Sequence, residues 1–256
     1  MRLAGKVAVV TGAGSGMGRA TALLFAKEGA TVVGSDINPG NLEAVVAEAT
    51  AAGGTMIGVA GDISKREDAE ALIARAIEEY GQLDALVNNA GIMDHMEGVA
   101  NFRDDTFEKV FGVNVYGPFV TSRAAVKHMK ERGKGAIVNV ASVAGVTGAA
   151  AGAVYTASKH ALVGLSRNTA FAYAPFGVRC NTLIVGGVET SIMAAADPSK
   201  FDNEALAQFG KWHAANPRTL KPEEVANLSL FLVSDEASGI SGAEVAVDAG
   251  WTAAGG

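Results

Sequence analysis

Cysteine and histidine are scarce in this chain of 256 residues, which has one cysteine, Cys180, and four histidines. A lone thiol cannot form an intrachain disulfide or a cysteine-based zinc site, and His95, His128, His160 and His213 show no ligand spacing. The expectation is a metal-free protein of a reducing compartment, the cytoplasm. Basic clusters are missing as well: the 21 lysines and arginines are scattered, and against 27 acidic residues they leave a formal charge of −6. That balance lacks the electrostatic footprint of a nucleic-acid or anionic-membrane binder. No repeat, low-complexity tract or composition break divides the chain, so residues 1–256 read as one domain.

Long apolar runs are also few. Val7-Ala8-Val9-Val10 is too short for a secretory leader and ends in a glycine-rich turn without a cleavage pattern, so it predicts a first strand. Residues 135–158 carry no charge and are long enough to cross a bilayer. Asn139, Ser142, Thr147 and several glycines within them instead predict a buried strand followed by a small-residue loop. Neither nucleic acid nor membrane is an expected partner.

What is present is an alternation of short β-branched runs and longer helix-period segments. Strands are predicted over 7–11, 31–36, 55–60, 85–88 and 136–140, each followed by a helix. Asn38-Pro39 supplies an N-cap and an N1 proline, Ser64-Lys65-Arg66-Glu67 reads as a capping box, and Gly29, Gly53 and Gly81 stand where three helices end. Further on, a helix over 153–174, a strand over 178–184, a helix over 222–232 and a strand over 244–247 are predicted. A long insertion with helical pieces, 189–212, lies between them as a candidate substrate lid. This pattern specifies an α/β fold, a doubly wound parallel sheet with helices on both faces.

The chemistry-bearing residues gather at predicted strand ends. Thr11-Gly12-Ala13-Gly14-Ser15-Gly16-Met17-Gly18 joins the first strand to a helix, where backbone can approach a pyrophosphate and a helix N-terminus faces the anion. Asp36 ends the second strand 18 residues past Gly18, placed to accept hydrogen bonds from both adenosine ribose hydroxyls; with Asn38 capping the next helix, its carboxylate is expected to be free for that task. Asp62 follows the third strand and either contacts adenine or stabilises its turn. Asn88-Asn89-Ala90-Gly91 ends the fourth strand. Ser142 follows the fifth, where a hydroxyl can hydrogen-bond a substrate oxygen as charge develops. Asn114 falls inside a predicted helix, a poor place for asparagine without a hydrogen-bonding task. Tyr155 and Lys159 lie at i, i+4 on one helix face, so an ammonium can stabilise a phenolate and make tyrosine a usable base near neutral pH.

Together these motifs resemble the classical short-chain dehydrogenase/reductase family over essentially the whole chain, in its order and spacing: Thr11-Gly12-xxx-Gly16-x-Gly18, Asn88-Asn89-Ala90-Gly91, Asn114, Ser142 and Tyr155-xxx-Lys159. The extended branch, which includes sugar epimerases, places its second glycine one position earlier, where this chain has Ser15. The resemblance implies a Rossmann-type sheet of about seven strands in the order 3-2-1-4-5-6-7 and a homotetramer. It also implies that Tyr155 exchanges the proton, Ser142 positions the substrate oxygen, Lys159 lowers the tyrosine pKa and binds nicotinamide ribose, and Asn114 holds a water in a proton relay. Cofactor contacts are implied at Gly12, Ser15, Gly16, Met17, Gly18, Asp36, Ile37, Asp62, Ile63, Ala90, Gly91, Gly186, Val188 and Thr190. Asn88 either contacts the cofactor or supports the central strands. One departure stands out: the family usually has Pro-Gly after the sixth strand, whereas this chain has Val185-Gly186, which predicts a less rigid turn.

The expected activity is hydride transfer between NAD and a secondary alcohol or ketone. Segments 91–98, 143–154 and 187–212, implied around the substrate, contain no arginine for bidentate carboxylate capture, which favours a neutral, largely apolar substrate; Met96, Met193, Phe201, Phe209 and Trp212 either wall it or pack a lid helix on the body. Two alternatives are an NADPH-dependent 3-oxoacyl-thioester (acyl carrier protein) reductase and a non-catalytic dinucleotide-binding regulator.

Overall fold

The computed structural model describes residues 1–190, 192 and 198–254. Seven strands, β1 (Val7–Thr11), β2 (Thr31–Asp36), β3 (Thr55–Ala60), β4 (Ala85–Asn88), β5 (Gly135–Val140), β6 (Val178–Val185) and β7 (Glu244–Val247), form one parallel sheet in the order 3-2-1-4-5-6-7. The helices are α1 (Gly16–Lys27), α2 (Pro39–Ala51), α3 (Arg66–Tyr80), α4 (Asp104–Phe111), α5 (Gly117–Arg132), α6 (Ala153–Tyr173), α7 (Asn203–His213) and α8 (Pro222–Val233). The uncharged stretch 135–158 is β5, a loop and the start of α6, and no described helix is long and apolar enough to cross a membrane.

All five residues of β1 are buried, and the period of two divides them between two cores. Ala8 and Val10 join α1, α2 and α8 on one face; Val7 and Val9 join α3 and α5 on the other. Val32 and Val33 of β2 are divided the same way, as are Val138 and Ile137 of β5. Each buried valine or leucine contributes roughly 1.5–3 kcal/mol, so the sheet is held by these two layers. A third cluster, with Met96, Val143, Tyr155, Leu162 and Trp251, packs under the loops beyond the strands' carboxyl ends.

Helix ends follow the sequence signals with one exception. Asn38 Oδ1 accepts from the Asn41 N–H at 3.1 Å, and Gly29, Gly53 and Gly81 all have left-handed backbone at the ends of α1, α2 and α3. The predicted capping box at Ser64 does not form: Lys65 is the N-cap of α3, and Ser64 donates both its N–H and its hydroxyl to Asp62 Oδ1. The nearer carboxylate outcompetes the helix amides. Asn114 lies not in regular α-helix but in a π-helical turn, Gly112–Tyr116, that joins α4 to α5.

Val185 continues β6 one residue beyond the predicted end and pairs with Val247. Gly186 N–H then donates to Val247 O, and Val188 bridges to Leu220. Hydrogen bonds thus fix the turn that a proline ring would otherwise stiffen.

The strand order reverses between β1 and β4, opening a crevice at their carboxyl ends. There the β1–α1 turn is so tight that a Cβ on Gly18 would lie 2.0 Å from Gly12 O. Gly18→Ala should therefore cost about 1–3 kcal/mol by overpacking, a Tm loss of roughly 2–4 °C per kcal/mol for a domain of this size. Gly164→Ala, at an exposed, open site in α6, should raise Tm through better helix propensity. Thermal unfolding followed by circular dichroism checks both signs.

Candidate active site

Three loops and one helix build the site around the β1–β4 crevice. Thr11 Oγ1, at the end of β1, accepts from the Asn89 and Ala90 N–H groups, both at 3.0 Å, and Asn89 Nδ2 donates back to Thr11 O at 2.9 Å. These bonds lock the end of β4 against the glycine turn. Ser15, the N-cap of α1, makes no side-chain capping bond, and the first turn of α1 has no acidic residue, unlike those of α3, α4 and α8. The positive end of α1 is left for an external anion.

Asp36 is not free, as its sequence position suggested, but doubly held. Its Oδ2 accepts from the Gly14 N–H and its Oδ1 from the Asn38 N–H, both at 2.9 Å. The Asn38 bond makes an Asx turn, and it aims the carboxylate at the crevice with lone pairs to spare on each oxygen. A Cβ on Gly14 would sit 2.8 Å from that carboxylate, so the glycine permits the contact.

A cavity of about 350 Å³ runs along the crevice. Of the residues expected at a cofactor, Gly12, Ser15, Gly16, Met17, Asp36, Ile37, Asp62, Ile63, Ala90, Gly91, Tyr155, Lys159 and Thr190 line it. Gly18 backs the turn, and Gly186 and Val188 fix the loop that carries Thr190. Asn88 requires correction as a side-chain contact. It is buried in the sheet, accepting from Thr121 Oγ1 at 2.7 Å and donating to Ser122 Oγ and Asn139 Oδ1. All its polar atoms are engaged in supporting the central strands. Asp62 stabilises its own turn, through Ser64, while still facing the cavity.

The reactive groups converge on the first two turns of α6. Tyr155 is buried, with Ser142 near enough to lower its pKa, and Ser142 Oγ accepts from the Ala144 N–H at 3.2 Å. Lys159 Nζ donates to Val140 O at 3.0 Å and lies 5.4 Å from the Tyr155 ring centroid. Asn114, fully buried, clamps Ile92 through bonds to its N–H and C=O, both 2.9 Å, and donates to Ser158 Oγ at 3.1 Å. Ser158 in turn donates to Tyr155 O at 2.7 Å. The π-helical turn thus delivers an asparagine that joins the post-β4 loop to the tyrosine helix.

Burial governs the charges here. It pushes the Tyr155 phenol up to about 12, against the lowering by Ser142, and pulls Lys159 down to about 8. Lys159 is not among the groups that move the tyrosine, so the expected lowering is not seen in this structure. At pH 7 the resting pair is a protonated phenol beside an ammonium, a proton donor with a cation at hand.

The site fits a dinucleotide on its own evidence. The uncapped α1 terminus suits phosphate, the close glycine turn admits it, and the oriented Asp36 suits vicinal hydroxyls. Among the described residues no cluster of His, Cys, Asp and Glu has the makings of a metal site.

Phe209 and Trp212 of the insertion pack on the third cluster instead of standing open. Trp212 stacks on Trp251 at 4.1 Å, and His213 bonds Ala150 O, so α7 is fastened to the body. Phe201 lies 6.3 Å from His95, and Met193 lies outside the described residues. Sequence reasoning missed Asn89, which lines the cavity, and Asp94, whose buried carboxylate accepts from the Tyr155 N–H at 2.8 Å. An aspartate one residue from a histidine in a loop carries no spacing that would single it out.

The family model described as enoyl-(acyl carrier protein) reductase matches residues 12–252. A 3beta-hydroxysteroid dehydrogenase 2 from Eggerthella lenta is 38% identical over 253 residues, covering 98% of this chain and 96% of its own. A 3-ketoacyl-(acyl-carrier-protein) reductase from Brucella melitensis, solved with NADH, is 35% identical with a TM-score of 0.86, covering 98% of this chain and 99% of its own. A candidate NAD(P)-dependent gluconate 5-dehydrogenase from Beutenbergia cavernae, solved with NADP at low occupancy, is 38% identical, with a TM-score of 0.86 and 98% of each chain covered. Matches of this length and identity, on a sheet of this order, make the chain an oxidoreductase of the short-chain dehydrogenase/reductase family.

Proposed function

We propose that this protein is an NAD-dependent dehydrogenase or reductase acting on a secondary alcohol or ketone. The observation that carries the reading is one cavity lined by a proton-exchanging Tyr155–Lys159 pair and by the oriented Asp36 carboxylate. Bound there, the nicotinamide supplies hydride transfer at C4. The chain's own groups do the rest. Ser142 and Tyr155 both hydrogen-bond the substrate oxygen; in reduction the phenol gives its proton to that oxygen, and in oxidation the phenolate takes one from it. Lys159 sits close enough to offset the charge left on the phenolate and faces the ribose side of the cavity. Asn114 holds Ile92 and the Ser158 bond to Tyr155 O, which keeps the tyrosine turn in register.

A neutral, largely apolar substrate is supported by the steroid-acting relative. Arg103, outside the segments first considered, lines an adjacent cavity, but its guanidinium is held by Glu97 and His95. A 3-oxoacyl-thioester reductase is the second reading, favoured by the Brucella neighbour. The partner we infer is further copies of this chain, as a homotetramer: Phe107, Phe119, Tyr116 and Phe171 are exposed, the last at 88%. Light scattering after size exclusion should give four times the chain mass of 26.0 kDa; a monomer would reject this.

Cofactor choice tests the Asp36 assignment. A carboxylate there accepts ribose hydroxyls and repels a 2′-phosphate, so kcat/KM should favour NAD over NADP, and Asp36→Ala should narrow the ratio by tenfold or more. A wild-type preference for NADP contradicts the reading. Tyr155→Phe should fold, retain NADH binding and lose at least about 100-fold in kcat; near-normal turnover rejects the proton role. In the wild type, oxidation should speed up as pH rises toward the tyrosine value of about 12. Reduction, which needs the phenol and the ammonium together, should fall above pH 8 as Lys159 deprotonates. Initial rates in both directions from pH 6 to 10 check the two signs.

A further inference from the structure

The loop after β4 meets the first turn of α6 through a carboxylate that the proposed reaction does not use directly. Asp94 is 1% exposed. Its Oδ2 accepts from the Tyr155 N–H at 2.8 Å and its Oδ1 from the Met96 N–H at 3.1 Å. A Cβ on Gly152 would lie 2.4 Å from the carboxylate, so only glycine lets the helix start this close. Glu97 O, three residues on, accepts from the Ala153 N–H at 2.8 Å. Two consecutive turns of this loop therefore cap the helix that presents Tyr155 and Lys159.

Backbone strain marks the same place. Met96 has φ +56, one of two left-handed non-glycine residues among those described, and it is buried against Tyr155 in the third cluster. Such conformations persist where the surroundings over-determine them, and they concentrate at functional sites. No described lysine or arginine forms an ion pair with Asp94. A buried carboxylate neutralised only by backbone amides and a helix terminus is costly to keep for packing alone.

We propose that Asp94 is a positioning residue for the proposed reaction, its carboxylate fixing the first turn of α6 and keeping the proton on the Tyr155 hydroxyl. The inference rests on the reading of Tyr155 as the proton-exchanging group. A buried negative charge 2.8 Å from the Tyr155 backbone N–H disfavours phenolate on the same residue, adding to burial, the larger cause of the rise. It also offsets the positive end of the α6 dipole, which would otherwise favour phenolate on this turn. The charged and titratable groups facing the pair are few: Lys159 on the same helix, His95 next to Asp94, and the Glu97–Arg103 ion pair behind it. From the post-β5 loop comes only the neutral Ser142. Asp94 thus adds to the rise that burial already imposes and shifts how alkaline the solution must be before the tyrosine becomes a base.

The test reads the phenol itself. Protein carrying tyrosine labelled with carbon-13 at Cζ is titrated from pH 8 past pH 12 by NMR, with Tyr155→Phe assigning the signal. Asp94→Asn removes the charge at constant size, and Asp94→Ser removes it while keeping a hydroxyl that can cap the helix. In either variant Tyr155 should ionise about one pH unit or more below its wild-type value. The rise of alcohol oxidation with pH should move down by the same amount, and NADH affinity should stay within about twofold, because Asp94 does not line the cofactor cavity. An unchanged Tyr155 titration in a folded variant overturns the proposal. A wild-type measurement stands beside the variants: Asp94 labelled at Cγ should be ionised at pH 7, and a protonated carboxyl there overturns the proposal without any substitution. The phenol titration needs no turnover, so a failed dehydrogenase assay rejects the functional reading while the coupling of Asp94 to Tyr155 is still measured.

Discussion

One hydroxyl, that of Thr11, accepts two backbone N–H groups from the far side of the crevice. In a parallel sheet whose order reverses between β1 and β4, the two chains diverge beyond the strand ends, and nothing in the ladder holds them together there. Thr11 and Asn89 supply that hold. The consequence is geometric. With the post-β4 loop pinned to the glycine turn, Ala90 and Gly91 line the same cavity as Gly12 and Gly16, and Asn114 can reach Ile92 from the π-helical turn. The cofactor end and the reactive end are thereby placed on one rigid edge.

Electrostatics at the reactive end is set by desolvation more than by pairing. Burial disfavours both the phenolate of Tyr155 and the ammonium of Lys159, in opposite directions on the pH scale. A tyrosine in this setting is first a donor. Its conversion to a base needs added positive charge nearby, and Asp94 works against that change. Burial therefore sets the range in which the pair titrates, and on the proposed reading Asp94 adjusts it.

Much of this was legible in the sequence. Val7–Thr11, Thr31–Asp36 and Thr55–Ala60 read as strands because β-branched residues and bounding glycines agree, and Asn38 read as a cap because its proline follows at once. What sequence could not give was competition between neighbours. Ser64 has the pattern of a capping box but spends its hydrogen bonds on Asp62, two residues away. Asn88 looks like a ligand contact until Thr121, Ser122 and Asn139, distant in sequence, consume its amide. Asp36 does meet the crevice, yet held in an Asx turn and not free as its position suggests. Asp94 stayed invisible because its partner is a backbone N–H sixty-one positions away.

The central claim is that hydride passes directly between substrate carbon and nicotinamide while Tyr155 carries the proton. Deuterium tracing tests it most directly. A secondary alcohol that the protein oxidises, deuterated at its carbinol carbon, should transfer its deuterium to C4 of the reduced nicotinamide formed, with none released to solvent. Deuterium recovered in water, or oxidation of the alcohol without labelled NADH, would contradict the account.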